Sequence, residues 1–405
     1  MISRSGFAAF QSKEYRYFWM AAAFSNVGMW ALIYGRLWLM HTLTDSPLMV
    51  GLVTTSSLGP VLLFSVFGGV VADRINRLKL LRITRLLFAI VTLLTGIMIA
   101  TGIIEPWHLI AISVITGLLL SFDIPSRAAM LPKLVDRTHL ASAIALYSFV
   151  FGAASILGPA IFAPLVNTWG IESVFFIIAG SYVLTVAALG LMTVHIHHPK
   201  EESSGIFKEL MDGIRYTIHN RVVGGIILLG LIVGIFGSPF ETLLPMYSDK
   251  IITGGIDTYG RLLLFAGIGG LIATTFIALL GTQVHLARFL MISGIGFGLG
   301  IVILSHVTSL HMATMTIALI GFSSVIFGTM STTLIQSNTA DNFRGRVMSI
   351  NMLTWGATAL GSLQMGTLGQ TFGVSFALSL SGFAVVVSTG IIAVYILRKM
   401  IIQRN

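Results

Sequence analysis

The sequence is dominated by about twelve apolar runs, each long enough to cross a lipid bilayer as a helix. Of the 405 residues, 55% are hydrophobic and only 10% are charged, whereas soluble domains carry roughly a quarter charged residues. The composition and the runs together predict an all-α integral membrane protein. The expected spans lie near residues 17–40, 47–72, 83–104, 107–126, 142–167, 173–196, 222–247, 258–280, 289–306, 311–332, 347–370 and 374–397.

Basic residues indicate the orientation of these spans, because short cytoplasmic loops hold an excess of Lys and Arg. If both termini lie in the cytoplasm, the inner segments contain all of the 24 Lys and Arg residues except Arg36, Lys250 and Arg261. One missing or extra span would invert every later loop, so this partition also supports the count of twelve. The net charge of +9 then reflects topology, and we expect no binding to nucleic acid.

Other features narrow the class of protein. The sequence has no cysteine, and His195, His197 and His198 lack a neighbouring acid to complete a ligand set, so we expect neither metal nor cofactor. The first apolar run follows Lys13 and Arg16 without a small-residue cleavage pattern, so it is expected to remain as the first span. A phosphate-binding loop of the Gly-x4-Gly-Lys-Ser/Thr type is missing, which argues against ATP as a partner.

A polar stretch at 197–221 divides the chain into two sets of six spans, at 1–196 and 222–405. Within it, apolar residues recur at helical spacing, at Phe207, Leu210, Met211, Ile214 and Ile218. This spacing predicts an amphipathic helix that lies along the cytoplasmic membrane surface. Similar polar loops at 131–142 and 336–349 precede the fifth and eleventh spans, as expected of transporters built from repeated halves.

The loop between the second and third spans resembles the signature motif of the major facilitator superfamily. That motif contains Gly, three small or apolar residues, Asp, Arg, any residue, Gly, Arg and a nearby basic residue. The matching positions are Gly69, Asp73, Arg74, Arg77 and Lys79, and Asn76 replaces the second glycine. The resemblance implies two pseudo-symmetric six-helix halves and an inner gate at this loop, which latches the halves in the outward-open state. The alternative is that these charges only mark an inner loop.

Further stretches at 123–127, 240–247 and 341–349 resemble the enterobactin-exporter-like subgroup, also called transmembrane secretion effectors. This resemblance covers nearly the whole chain. It implies a monomeric exporter in the bacterial cytoplasmic membrane that moves a small amphipathic molecule by exchange with protons. The alternatives are a proton-coupled importer of the same fold and, from another class, a membrane enzyme or a transport-derived sensor.

The fifth span resembles the antiporter motif of drug/proton exchangers. Gly152, Gly158 and Pro159 match it, whereas other glycine positions of the motif are occupied by Ala154, Phe162 and Ala163. The match favours export. A proline kink of the helix without a role in coupling is the alternative.

Two of the charged residues inside predicted spans stand out, because ionisable side chains within a membrane are costly and are functional candidates by default. Arg36 and Glu241 each lie about 19 residues from the inner start of their span, which is about 29 Å along a helix. We expect them to approach each other when the outer gate closes, so that protonation of Glu241 from outside weakens the pair. Independent snorkelling of both side chains to the outer interface is the alternative.

Asp123 lies near the inner end of the fourth span, with Arg127 one turn later on the same helix face. We expect Asp123 to pair with Arg127 or Arg77 and to join the inner gate, or else to be a solvated loop charge. The Arg that many antiporters of the superfamily carry inside this span is missing from 107–122.

Uncharged polar residues in spans expected to line the cavity are candidates for contacts with cargo, although Ser and Thr often bond to their own helix. They are Asn26, Tyr34, Thr116, Ser238, Thr242, Ser323, Ser324, Gln336, Asn351, Thr354 and Gln364. On the first span, Trp30, Tyr34 and Trp38 form an aromatic ridge at four-residue spacing. The ridge predicts stacking of a planar cargo, or else packing at the interface.

Overall fold

The computed structural model describes residues 7–193, 206–280, 285–341 and 343–402, and the side chains of 66, 70, 72–74, 206–210 and 394–402 lie outside that description. The described chain is almost entirely helical, which confirms the all-α prediction. The first group of helices is α1 (Lys13–Thr44), α2 (Pro47–Arg74), α3 (Arg77–Ala100), α4 (Pro106–Met130), α5 (Leu140–Trp169) and α6 (Ile171–Gly190). The second group is α7 (Ile206–His219), α8 (Arg221–Ile232), α9 (Phe240–Met246), α10 (Gly255–Leu280), α11 (Leu286–Leu304), α12 (Leu310–Ser337), α13 (Arg344–Gly356), α14 (Thr358–Phe372) and α15 (Val374–Ile402).

Ten helical segments of the described residues are long and apolar enough to cross a membrane. The other two predicted spans correspond to α1 and to α13 together with α14, which are helical but richer in polar residues. α1 contains Asn26 and Arg36, and α13 and α14 contain Asn351 and Gln364. Low hydropathy is expected of a membrane helix that turns polar side chains towards a protein interior. The count of twelve crossings stays a prediction.

The chain divides into two compact units, one of Met1–Thr44 with Ser56–Glu201 and one of Asp45–Thr55 with Glu202–Asn405. The first turns of α2 therefore pack as part of the second unit, whereas the rest of α2 belongs to the first.

The first unit is built around α1, which packs against α5 and α6, while α3 packs against α4 and α6. Small residues allow these helices to approach closely. A Cβ atom placed on Gly158 of α5 would lie 3.0 Å from the Cβ of Trp30 and 3.2 Å from the backbone nitrogen of Ala31. At one end of the unit, the buried core includes Tyr15, Phe18, Leu78, Leu81, Met130 and Leu189.

In the second unit, α12 packs against α10 and α11, and α11 packs against α15. The linker helix α7 packs against α13, where the ring of Tyr216 stacks on Phe343 with centroids 4.5 Å apart. The span predicted at 222–247 is interrupted: π-helical turns at Val233–Gly237 and Tyr247–Ile251 flank α9. Pro239 explains the first interruption, because proline lacks the N–H that would continue the helical bonding.

Candidate functional site

A buried cluster of charges lies in the first unit, around the carboxylate of Asp123 on α4. Its Oδ2 atom lies 2.6 Å from Nη2 of Arg85 on α3 and 2.7 Å from Nε of Arg127 on α4. The hydroxyl of Thr84 donates to Oδ1 at 3.4 Å. The Asp123 side chain is 0% exposed, and those of Arg85 and Arg127 are 3% and 13% exposed. Two guanidinium groups therefore share one carboxylate, which leaves this cluster with an excess positive charge.

Arg85 was not anticipated from the sequence, where it counts among the basic residues of the inner loop. The structure places it two turns into α3, on the stripe of buried positions Leu78, Leu81, Arg85 and Phe88. This spacing of three and four residues is the helical period that marks a core-facing side. The helical spacing of Arg85 with its apolar neighbours was therefore the sequence signal that could have identified Arg85 as a buried residue.

The cluster continues from Arg127 towards α1 and α5. Nη1 of Arg127 donates to the hydroxyl of Tyr147 at 3.0 Å and to Oδ1 of Asn26 at 3.5 Å. One turn along α1, the indole of Trp30 stacks on Tyr34, with centroids 5.8 Å apart. Part of the predicted aromatic ridge thus adjoins a buried polar cluster.

Arg36 is buried on α1 and is held by hydroxyl groups of α2 and α4. Its Nη1 donates to Thr116 at 2.6 Å and to Ser113 at 3.4 Å, and its Nη2 donates to Ser57 at 3.4 Å. Among the described residues of the first unit, no carboxylate lies within ion-pair distance of this guanidinium. The hydroxyl of Thr116, which we expected to contact cargo, accepts this hydrogen bond from Arg36. The expected approach of Arg36 to Glu241 stays a prediction.

Tyr182 of α6 lies between these two sets of charges. Its ring stacks on Phe88 with centroids 5.2 Å apart, and the guanidinium carbon of Arg85 lies 5.7 Å from the ring centroid. The hydroxyl of Tyr182 is buried without a hydrogen-bond partner among the described residues. The interior of this unit is therefore polar from Arg36 to Asp123.

At the signature loop, the close helix approach belongs to Gly68. A Cβ atom on Gly68 would overlap the carbonyl oxygen of Ser121 on α4, whereas a Cβ on Gly69 would meet no described atom within 4 Å. Adjacent small residues in a membrane helix predict close packing at both positions, whereas the structure shows it at Gly68. The side chains of Asp73 and Arg74 lie outside the described residues.

The remaining motif residues act at the ends of helices. Asn76, which replaces a glycine of the family motif, caps α3 by accepting a hydrogen bond from the backbone N–H of Lys79 at 3.1 Å. Such a cap satisfies one of the free N–H groups of the first turn. Arg77 donates to the carbonyl of Ala129 at 3.3 Å, so it reaches the end of α4.

The glycines of the fifth span differ in their surroundings. Gly158 lies against α1, whereas a Cβ on Gly152 would meet no described atom within 4 Å. Pro159 lies inside α5, which continues to Trp169. Packing against Trp30 is therefore a sufficient physical reason for Gly158.

In the second unit the candidate residues are scattered. Glu241 lies half-buried in the first turn of α9, and the hydroxyl of Thr242 donates to Ser362 at 3.2 Å. Ser238 follows the first π-helical turn. Gln336 is exposed, and Asn351 and Gln364 are half-buried.

The first turns of α2 are held by α14, within the second unit. The hydroxyl of Thr55 donates to the carbonyl of Ala359 at 2.8 Å, and that of Ser46 donates to Oε1 of Gln370 at 2.8 Å. A Cβ on Gly366 would lie 2.7 Å from the carbonyl oxygen of Pro47. The helices touch backbone to backbone here.

Comparison with known proteins gives a consistent result. A family model described as a transmembrane secretion effector matches residues 4–403. The staphyloferrin A transporter of Staphylococcus aureus is 27% identical, over 95% of this chain and 96% of that protein. The enterobactin exporter EntS of Shigella boydii is 26% identical, over 86% of this chain and 83% of that protein.

Among solved structures, a variant of the nucleoside transporter NupG superposes with a TM-score of 0.76 at 11% identity, over 94% of this chain and 99% of that chain. At such low identity the match shows the fold alone. The chain therefore shares the fold of that protein.

Proposed function

Because the chain belongs to the transmembrane secretion effector family of the major facilitator superfamily, we propose that it exports a siderophore or a similar small metabolite from the bacterial cytoplasm in exchange for protons. Its family and relatives are transporters, not enzymes, so the multi-pass chain is a transporter of a small molecule. The proposal adds direction, energy source and class of cargo. It further assumes a monomer with twelve crossings, both termini in the cytoplasm and no use of ATP.

The observation that carries the proposal is the match to two transporters named for siderophores along most of both chains. One of them is named as an exporter. The buried charges of α1, α3 and α4 support it, since ionisable groups in membrane helices mark pathways for substrates or ions. Gly158 and Pro159 of α5 also support the proposal, because they match the antiporter motif of drug/proton exchangers.

The cargo is found by comparing extracellular metabolites of a deletion strain with those of strains complemented by the wild-type gene or by Asp73→Asn. An exported siderophore is expected to disappear from the medium of the deletion strain and to return only with the wild-type gene. Retention of the metabolite profile in the deletion strain would contradict the proposal.

Direction and energy source are measured with that cargo in everted membrane vesicles. An exporter driven by protons fills everted vesicles during respiration, and a protonophore abolishes the filling. Uptake confined to right-side-out vesicles would instead identify the importer. Filling that survives the protonophore but needs ATP would refute the coupling.

Glu241 is the residue proposed to carry the proton. Glu241→Gln cannot titrate, so export by this variant is expected to lose the pH dependence of the wild type. Glu105→Gln, at an exposed carboxylate before α4, is the matched control and should keep that dependence. The role is excluded if Glu241→Gln exports normally with the wild-type pH profile.

A further inference from the structure

Two hydrogen-bond donors on α1 are buried without an acceptor among the described residues. They are Nδ2 of Asn26 and the indole Nε1 of Trp30, one helical turn apart. Asn26 is 0% exposed. Neither N–H group forms a hydrogen bond within the described part of the unit, so internal hydrogen bonding does not account for them.

Such groups need an explanation, because a buried donor that has left water without finding an acceptor destabilises the folded protein. Most buried polar atoms in native proteins are paired, and exceptions point to an ordered water, an ion or a ligand. Two exceptions on successive turns of one helix favour a single occupant that accepts from both.

A third donor group lies beside them on Arg127. Its Nε lies 2.7 Å from Oδ2 of Asp123, and its Nη1 donates to Asn26 and Tyr147. The nearest carboxylate, Asp123, is already shared with Arg85. The occupant therefore meets donors and an excess positive charge, which together favour an anion.

The shape of the surroundings favours a flat group. Trp30 is stacked on Tyr34 on one side and meets Phe151 of α5 edge-on, with centroids 5.7 Å apart. Gly158 lets α5 approach the backbone of α1 at this turn. Arg127 is 13% exposed, so the cluster reaches the surface of the unit.

We propose that Asn26, Trp30 and Arg127 form a binding subsite for the carboxylate group of an acidic cargo. The idea that this occupant is transported rests on the proposed function, whereas its binding does not. A carboxylate has two acceptor oxygens, which suits two N–H groups on successive turns and a guanidinium beside them.

The test is a titration of the purified full-length protein in lipid nanodiscs, measured by isothermal calorimetry. The probes are 2,3-dihydroxybenzoate and 2,3-dihydroxybenzamide, which have the same ring and differ in the charge of one group. We expect the acid to bind at least about tenfold more tightly than the amide, because hydrogen bonds to charged acceptors are the stronger kind.

Trp30→Phe removes the N–H but keeps the aromatic ring, and it is expected to weaken binding of the acid by about tenfold. Asn26→Leu should have a similar effect. Trp107→Phe is the matched control, because its indole N–H already donates to Glu105 at 2.7 Å, and it should leave the affinity unchanged. Thermal unfolding of each variant verifies its fold.

Equal affinity for acid and amide would overturn the inference, and so would undiminished binding of the acid by folded Trp30→Phe. In that case an ordered water satisfies the donors. These outcomes are separate from the fate of the proposed function. If the protein prefers the acid but moves no cargo in vesicles, the subsite is supported and the proposed export is wrong. If it moves cargo but binds the acid and the amide equally, the export is supported and the subsite is wrong.

Discussion

At the scale of single residues, the stability of the first unit depends on the pairing of Asp123. Asp123→Asn would leave the guanidinium groups of Arg85 and Arg127 buried without their anion. Breaking a buried ion pair by removing one partner typically costs about 3–5 kcal/mol. We expect a large fall in the thermal unfolding midpoint of the purified protein in detergent.

Asp136→Asn is the control for that loss, because Asp136 is an exposed acid in the loop before α5. Joint replacement by Asp123→Leu, Arg85→Met and Arg127→Met should recover much of the stability, since apolar groups of similar size can replace buried ionic partners at little cost. Unchanged unfolding of Asp123→Asn would show that the pair adds nothing.

Arg36 should behave in the opposite way. Its partners are neutral hydroxyls, and Thr116 also donates to the carbonyl of Ile112 in its own helix at 2.9 Å. Arg36→Met removes a buried charge while Thr116 keeps its bond to the helix. We therefore expect the stability to stay within about 1 kcal/mol of the wild type, or to rise, while transport in vesicles is lost.

Arg36→Lys is the companion variant for transport, because it keeps the charge without the planar fork. A strong loss of stability in Arg36→Met would make the residue structural rather than functional.

Single residues also show how far the sequence could predict the site. The pairing of Asp123 with Arg127 is readable, because residues four apart share a helix face. Arg85 reaches Asp123 from α3, and only its place in a buried stripe distinguishes it from ordinary loop arginines. The hydroxyl partners of Arg36 carried no signal, since Ser and Thr usually bond to their own helix.

At the scale of helices, adjacent glycines of α2 offer a matched pair. Gly68→Ala places a methyl group on the carbonyl of Ser121, so α2 and α4 must separate, which costs about 1–3 kcal/mol. Gly69→Ala enters open space and gains up to about 1 kcal/mol of helix propensity. Unfolding midpoints of the two variants in detergent should therefore move in opposite directions.

Equal effects of the two alanines would mean that the close approach at Gly68 is not a stability determinant.

The sequence motif aligned Gly69, because a motif records the residue type along the chain and not the neighbour that each residue meets. The positions of whole helices could be predicted from the sequence, since long apolar runs define them. The division of the seventh span by two π-helical turns was not predicted, although Pro239 marks its place.

At the scale of the whole molecule, the start of α2 offers a test of alternating access. Ser46 and Gln370 are hydrogen-bonded although 324 residues separate them. If α2 leaves α14 during each cycle, a short bis-methanethiosulfonate cross-link between Ser46→Cys and Gln370→Cys should abolish transport. The chain has no cysteine of its own, so labelling is confined to the introduced pair.

Ser305→Cys with Ser379→Cys is the control pair, because these hydroxyls lie 2.6 Å apart beside α11 and α15. Cross-linking there should leave transport intact, as should each single cysteine. Full transport by the linked Ser46 and Gln370 pair would show that this contact does not open.

The divided packing of α2 also bears on how the protein is made. The first turns of α2 leave the ribosome early, whereas their contacts on α14, such as the hydrogen bond from Thr55 to Ala359, lie 304 residues further along the chain. Until synthesis reaches α14, the glycine-bearing start of α2 has only lipid or the insertion machinery to cover it. The second helix to enter the membrane is thus among the last to be completed, and release of a truncated chain before α14 leaves it exposed to quality-control proteases.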